Sequence, residues 1–304
     1  MNKSFVDLQL NGYGGVDFNG KSINADELHA ACELLDTHGV KAILATVITD
    51  DVDRMCGRLR QIVEIADADP LVKRIIAGLH VEGPFINENA GYRGAHPADQ
   101  IKPANVSDAA KLVEAGNGMV KIFTLAPERD EGKKVTRFLA EKGIKVAAGH
   151  TNAPMRDLEE ACDAGLTLFT HLGNGCPMNM HRHDNIIQRG ISLAGRLKLG
   201  LVGDCVHVPM PALANYIKFA GIENCFVVTD GTAASGMGPG TYTLGDWEVL
   251  VGEDLVCMAP DGSHLVGSAV TMSRCSENLI KAGFTEPQAR QLTFDNPMRI
   301  LSGE

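Results

Sequence analysis

The sequence predicts a parallel (β/α)8 barrel, the TIM-barrel fold, and three observations point to it. Eight short apolar runs recur along the chain, and most are separated by stretches with the 3.6-residue period of a helix. Several runs are nearly continuous in Val, Ile and Leu, as expected for strands that are buried on both faces. The length of 304 residues also fits one such barrel, which typically needs about 250 residues.

The predicted strands and helices alternate along the chain. The strands cover residues 5–10, 40–48, 74–81, 119–125, 144–148, 166–169, 199–202 and 225–229. The clearest helices cover residues 26–37, 51–68, 108–115, 129–142, 154–164 and 211–220. A doubly wound open sheet is the alternative fold. It needs no eighth strand and usually carries a phosphate-binding glycine pattern after its first strand, whereas the segment Gly12–Gly15 lacks that spacing and precedes no evident helix.

Two segments depart from the alternation. Residues 171–198 are rich in Asn, Gly, His and Met before they become helical, which predicts a long functional loop after the sixth strand. Residues 236–267 have the turns and short apolar runs of a β-hairpin excursion. Two amphipathic stretches, 269–282 and 286–300, close the chain. Since no internal repeat or flexible linker divides it, we expect a single domain over residues 1–304.

Composition excludes several classes of protein. The net charge is −10 and no block of Lys or Arg is present, so nucleic acid is not an expected partner. No run approaches the roughly 18 apolar residues of a membrane span, and we expect no membrane association. The eight cysteines form no Cys-x-x-Cys pair and no signal peptide is evident, which favours reduced thiols and a cytoplasmic location.

Polar residues gather at the carboxyl ends of the predicted strands, where barrel enzymes place their chemistry. They are Gln9, Asn11, Glu82, His150, His171, His207 and Asp230. Each one alone could cap a turn or satisfy a buried carbonyl. Together, the carboxylate of Glu82 and the imidazoles of His150 and His171 are the ligand types of a catalytic zinc site with one position left open.

Other polar residues allow two interpretations each. Asp230 could form an Asx turn or cap a helix, or it could act as a general base beside the metal. His96 and His207 could be surface histidines or could orient a polar substrate. The segment His181–Asp184 contains two histidines one residue apart, but in a loop this spacing is a poor predictor of a ligand pair. Arg182 between them could be solvated or could contact an oxyanion or phosphate.

Short motifs in unbroken order resemble one known family over residues 5–300. They are VDLQLNG (6–12), GLHVEGPF (78–85), GAH (94–96), LAPE (125–128), GHTNA (149–153), THLGN (170–174), VTDG (228–231) and GS (267–268). On these motifs the chain resembles the N-acetylglucosamine-6-phosphate deacetylases, hydrolases of amino sugar metabolism in the amidohydrolase superfamily.

The resemblance implies a role for each matching residue. Glu82, His150 and His171 would bind the metal, and Asp230 would be the catalytic acid and base. His96 and His207 would contact the sugar or the acyl carbonyl. The phosphate contacts would come from Asn174, the backbone of Gly175, and Arg182 reaching across the interface of a homodimer.

Gln9 and Asn11 occupy the strand where many superfamily members carry His-x-His for a second metal. Amides are poor replacements for imidazoles as transition-metal ligands, so we expect one divalent ion per site, with Gln9 and Asn11 as outer contacts. Zinc is the expected ion, with iron, cobalt and manganese as alternatives. The chain also departs from the family in the loop around residues 178–184, and we expect the family's flanking β-sandwich to be missing.

Three functional hypotheses follow. The first is deacetylation of an N-acetylated amino sugar, with its 6-phosphate as the expected form. The second is hydrolysis of another N-acyl sugar, a cyclic amide or a lactone, because the fold and metal ligands do not determine the substrate. The third is a non-catalytic sugar-phosphate sensor, against which the intact set of ligands and base argues.

Overall fold

Eight parallel strands form a barrel in this computed structural model, which describes residues 4–303. In chain order the strands are β1 (Phe5–Leu10), β2 (Val40–Ile48), β3 (Ile76–Glu82), β4 (Val120–Leu125), β5 (Lys145–Ala148), β6 (Leu166–Phe169), β7 (Lys198–Val202) and β8 (Cys225–Val228). The last strand returns to the first, since the N–H of Asp230 donates to the carbonyl of Gln9 at 3.1 Å. Leu10 and Gly231 also form a parallel bridge there. The predicted barrel is confirmed.

Helices follow most of the strands. They are α1 (Ala25–Thr37), α2 (Val52–Ala68), α3 (Pro70–Ile75), α4 (Val106–Ala115), α5 (Lys134–Glu141), α6 (Met155–Asp163), α7 (Ile186–Ser192), α8 (Met210–Ala220), α9 (Met272–Lys281), α10 (Glu286–Arg290) and α11 (Asn296–Ser302). No helix within residues 4–303 is both long enough and apolar enough to cross a membrane.

The predicted helix 129–142 is wrong at its start. Residues 127–133 form two short 3-10 turns, with Gly132 and Lys133 at φ of 63° and 55°. The carboxylate of Asp130 then accepts hydrogen bonds from the backbone N–H of Val135 at 3.0 Å and Thr136 at 2.8 Å. Because Asp130 satisfies these free amides, the helix begins only at Lys134.

The C-terminal helices close the amino end of the barrel. Phe294, Ile300 and Leu301 pack against the apolar side chains that point into the barrel from its strands. Asn296 donates hydrogen bonds to the carbonyls of Ile222 and Cys225, where β8 begins. The predicted stretch 286–300 is thus observed as α10, a π-helical turn (Gln291–Asp295) and α11.

The predicted excursion lies at the opposite end of the barrel and forms an antiparallel sheet of three strands. They are β9 (Gly240–Leu244), β10 (Trp247–Val251) and β11 (Cys257–Met258). Its buried side chains, including Leu244 and Val249, pack with Ile48 at the carboxyl end of β2. The excursion therefore forms one wall of the barrel mouth. The single domain and the missing sandwich stay predictions.

Candidate metal centre

Four chemistry-bearing residues stand at strand ends. Glu82 is the last residue of β3, while His150, His171 and Asp230 each lie two residues past the ends of β5, β6 and β8. These last three have φ of 49°, 31° and 50°, in the left-handed region that residues other than glycine rarely adopt. Such backbone conformations cluster at functional sites, where the surroundings hold them in place.

The candidate metal centre consists of Glu82, His150 and His171, all buried. Glu82 Oε1 lies 2.9 Å from His171 Nε2 and 3.2 Å from His150 Nε2, and the two nitrogens are 3.1 Å apart. Donor atoms about 2.0 Å from a tetrahedral zinc lie about 3.3 Å from one another. The three donors are therefore within a few tenths of an ångström of the spacing that one ion needs, and they fit it.

Contacts behind His150 orient its ring. His150 Nδ1 lies 2.7 Å from the carbonyl oxygen of Tyr92, so Nδ1 carries the proton and Nε2 offers its lone pair to the centre. A Cβ at Gly175 would lie only 2.8 Å from His150 Nδ1, so the absence of a side chain there lets the loop pack on the ring. Sequence reasoning missed Tyr92, because a backbone carbonyl leaves no side-chain signal.

Gln9 and Asn11 bind the two carboxylates of the site. Gln9 Nε2 lies 3.2 Å from both carboxylate oxygens of Glu82 and from Asp230 Oδ1. Asn11 Nδ2 donates to Asp230 Oδ1 at 2.8 Å. The two amides thus place hydrogen-bond donors between the carboxylates of Glu82 and Asp230. This position agrees with the expectation that Gln9 and Asn11 contact the site from outside the metal ligands.

The two carboxylates have opposite electrostatic tendencies. Burial raises the pKa of Glu82, but the neighbouring imidazoles of His150 and His171 outweigh it and hold that pKa well below its usual range. Burial also raises the pKa of Asp230; His171 opposes this and the charge of Glu82 adds to it, and the pKa stays above its ordinary value. Glu82 thus has the character of a ligand, and Asp230 that of a group that exchanges a proton.

A cavity of about 660 Å³ opens above the centre, and His96, His207 and Asp230 line it. His96 Nδ1 lies 2.7 Å from Thr49 Oγ1, and burial followed by the neighbouring His150 lowers the pKa of His96 to about 3. His207 Nδ1 lies 2.6 Å from Asp204 Oδ2. Sequence reasoning did not identify Thr49 or Asp204 as supports for these histidines, although an aspartate three residues before a histidine in a turn is a usable signal.

The predicted phosphate contacts divide into two groups. Asn174 and Gly175 line the cavity, and Asn174 Nδ2 is buried without a hydrogen-bond partner among residues 4–303. Arg182 is exposed and lies outside the lining of this cavity. Among the described residues that line the cavity, Arg93 is the one lysine or arginine. Sequence reasoning missed it.

His181 and His183 are both exposed. His181 Nδ1 accepts a hydrogen bond from the backbone N–H of Asp184 at 2.9 Å, so this ring stabilises the local turn. Within the described part of the chain, Glu82, His150 and His171 are the one group of three ligand-type side chains close enough to share an ion.

Comparisons with known proteins agree over nearly the whole chain. No protein-family model matches. An N-acetylglucosamine-6-phosphate deacetylase from Bos taurus is 31% identical over 311 residues, covering 99% of this chain and 74% of the relative. An N-acetylgalactosamine-6-phosphate deacetylase from Escherichia coli O157:H7 is 26% identical, covering 98% of this chain and 77% of the relative.

A solved structure is similar to the whole barrel. It is an aspartate-to-alanine mutant of N-acetyl-D-glucosamine-6-phosphate deacetylase from Mycobacterium smegmatis, in complex with N-acetyl-D-glucosamine-6-phosphate. Its TM-score is 0.89 at 27% identity, covering 99% of this chain and 77% of that one. The likeness therefore includes the strand ends that carry the candidate metal centre.

Proposed function

The chain belongs to the N-acetylglucosamine-6-phosphate deacetylase family, and on this premise we propose that it hydrolyses N-acetylglucosamine-6-phosphate to glucosamine-6-phosphate and acetate. The observation that carries the proposal is the buried cluster of Glu82, His150 and His171 with Asp230 beside it in one cavity. A carboxylate with a raised pKa next to a metal-binding cluster is the arrangement that amide hydrolysis needs.

We propose that Glu82, His150 and His171 hold one divalent metal ion, zinc in the first place, with iron, cobalt or manganese as alternatives. Two imidazoles and one carboxylate form a set that zinc uses in hydrolases, and their spacing supports this assignment. When bound, such an ion polarises a carbonyl oxygen and lowers the pKa of water. The hydrogen bonds of Gln9 and Asn11 to carboxylates support a single ion.

Asp230 moves the proton in the proposed reaction. Both amide hydrogen bonds reach its Oδ1, which leaves Oδ2 to take a proton from the attacking water. The hydroxyl oxygen forms a bond to the acetyl carbon, and the bond from that carbon to nitrogen breaks. The same proton passes from Asp230 to the departing nitrogen, so that the products are an amine and acetic acid, which loses its remaining proton to become acetate.

His96 is proposed to contact the sugar rather than the acyl carbonyl. The hydroxyl of Thr49 donates to the carbonyl of Glu82 at 3.2 Å, so Thr49 Oγ1 is left to accept from His96 Nδ1. A neutral His96 then offers Nε2 as an acceptor, which suits a hydroxyl of the sugar. His207, fixed by Asp204, is the second proposed contact to the substrate.

The phosphate is proposed to bind Asn174 and the backbone of Gly175. The unpartnered amide of Asn174 supports this, since a buried donor needs an acceptor. Arg182 is proposed to reach the phosphate from the second chain of a homodimer, because it lies outside the cavity of its own chain. A cytoplasmic location stays a prediction from the pattern of cysteines.

N-acetylgalactosamine-6-phosphate is the second candidate substrate, because a relative of similar coverage carries that name. The two sugars differ in the orientation of one hydroxyl. Comparison of kcat/KM for both phosphorylated sugars, and for their unphosphorylated forms, separates the candidates. A preference for an unphosphorylated sugar, a cyclic amide or a lactone would contradict the proposal.

The decisive variant is Asp230→Asn, assayed by acetate release after loading with zinc. We expect kcat to fall by about 10²- to 10⁴-fold, the usual contribution of a general acid and base, while metal content stays at that of the native protein. Asp67→Asn is the matched control, because Asp67 is an exposed aspartate paired with Lys73. Full activity in Asp230→Asn would overturn the assignment.

A further inference from the structure

The LAPE motif ends in Glu128, a residue that the proposed reaction does not use. Glu128 lies in the 3-10 turn Pro127–Arg129, shortly after β4. Its Oε1 accepts hydrogen bonds from Asn87 Nδ2 and from the backbone N–H of Asn152, both at 2.8 Å. Its Oε2 accepts from the hydroxyl of Thr151. One carboxylate therefore joins the loops that follow β3, β4 and β5.

These contacts surround the backbone of His150. Thr151 and Asn152 follow it directly, and the backbone N–H of Asn87 donates to the carbonyl of His150 at 2.9 Å. Asn87 is thus bonded both to His150 and to Glu128, and the three loops form a closed set of hydrogen bonds. The set encloses a residue whose φ of 49° is unfavourable without support.

A carboxylate fits this arrangement better than an amide does. All three groups that face Glu128 are donors, and they use both of its oxygens. A glutamine of the same shape would turn its N–H₂ group toward the hydroxyl of Thr151, which would then have to accept a hydrogen bond and would lose Glu128 as the acceptor for its own proton. Because Thr151 and Asn87 are buried, water does not easily replace the lost bond.

We propose that Glu128 is a positioning residue that holds His150 in the conformation required for metal binding. Glu128 acts only through the loop of His150 and does not itself reach the centre. The inference rests on the proposed role of His150 as a metal ligand. Its test uses metal binding without substrate, so failure of the deacetylation assay leaves it fully testable.

The experiment compares Glu128→Gln with Glu88→Gln in the full chain. Glu88 is the matched control, because it is an exposed glutamate that pairs with Arg129, the neighbour of Glu128. Zinc affinity is measured by competition with a chromophoric chelator, and the absorption spectrum of the cobalt-loaded protein reports the coordination geometry. We expect Glu128→Gln to bind zinc about 10- to 100-fold more weakly with an altered cobalt spectrum, and Glu88→Gln to match the native protein.

A second pair of variants covers the case that Glu128→Gln does not fold. Thr151→Val removes one donor to Glu128 at nearly constant volume, whereas Thr151→Ser keeps the hydroxyl. We expect weaker zinc binding in the first and rescue in the second. Native zinc affinity and an unchanged cobalt spectrum in Glu128→Gln, or in Thr151→Val if only that variant folds, would overturn the inference.

Discussion

The candidate metal centre and the loop that carries Arg182 meet after β6, where His171 belongs to the centre and Arg182 to the loop, but they are built in different ways. In the centre, Glu82, His150 and His171 are buried, and each has a contact with another member of the set. Arg182 is exposed, and its loop reaches the cavity only through its first residues, up to Met178. The centre is complete within one chain, whereas the proposed phosphate contact of Arg182 depends on a second copy.

The largest expected effect separates two histidines of this region. His171→Ala removes one of three donors from the centre, so we expect loss of bound zinc and a fall in kcat/KM of more than about 10³-fold, because the ion contributes several kcal/mol to the reaction. His183→Ala, in the exposed loop, should keep native metal content and activity. Elemental analysis measures the metal content of both variants, and acetate release measures their activity. Zinc bound at native affinity by His171→Ala would contradict the role of His171 as a metal ligand.

The second prediction concerns stability just below the centre. Asp7 is buried beside Thr229, and burial raises the pKa of Asp7 to about 7 despite hydrogen bonds from Thr229 and Gln9. Its folded pKa lies above the unfolded value of 3.8, so its contribution to stability is complete below that value and is lost as pH rises through about 7.

We therefore expect the metal-free protein to lose stability between pH 4 and pH 8 relative to Asp7→Asn, by up to about 4 kcal/mol. Chemical denaturation at several pH values measures the difference. Asp163→Asn, at an exposed ion pair with Arg196, controls for the general effect of pH on the fold. If the difference in unfolding free energy between Asp7→Asn and the native protein does not change with pH, the pKa of Asp7 is not raised by folding and the prediction is wrong.

Most of the barrel could be predicted because the strands are short runs of mainly apolar residues, several of them nearly continuous in Val, Ile and Leu. The residues brought together at the centre could be predicted too, since parallel strands of a barrel end on one face and Glu82, His150 and His171 stand at those ends. What escaped prediction depends on tertiary contacts. The carbonyl of Tyr92 and the carboxylate of Glu128 act on His150 from other loops, and α5 starts late because Asp130 folds back on it.

The smallest of the expected effects distinguishes two arginines. Arg93 lines the cavity of its own chain, while Arg182 is proposed to serve the cavity of a partner. If the phosphate contact comes from Arg182, Arg182→Met should lower kcat/KM for the phosphorylated sugar by about 10- to 100-fold, the value of one charge-assisted hydrogen bond. Activity on the unphosphorylated sugar should stay unchanged, since that substrate offers no anion.

Arg93→Met is the matched variant, with the same change of side chain inside the cavity. A selective loss in Arg93→Met together with native behaviour of Arg182→Met would move the phosphate contact into a single chain. The reverse result requires a second copy, and sedimentation should then show a dimer whose dissociation on dilution lowers activity on the phosphorylated sugar. Each outcome decides whether the phosphate site needs the exposed loop of a second copy or is complete in the cavity of one chain. The buried metal centre, in contrast, takes all three of its side chains from one chain.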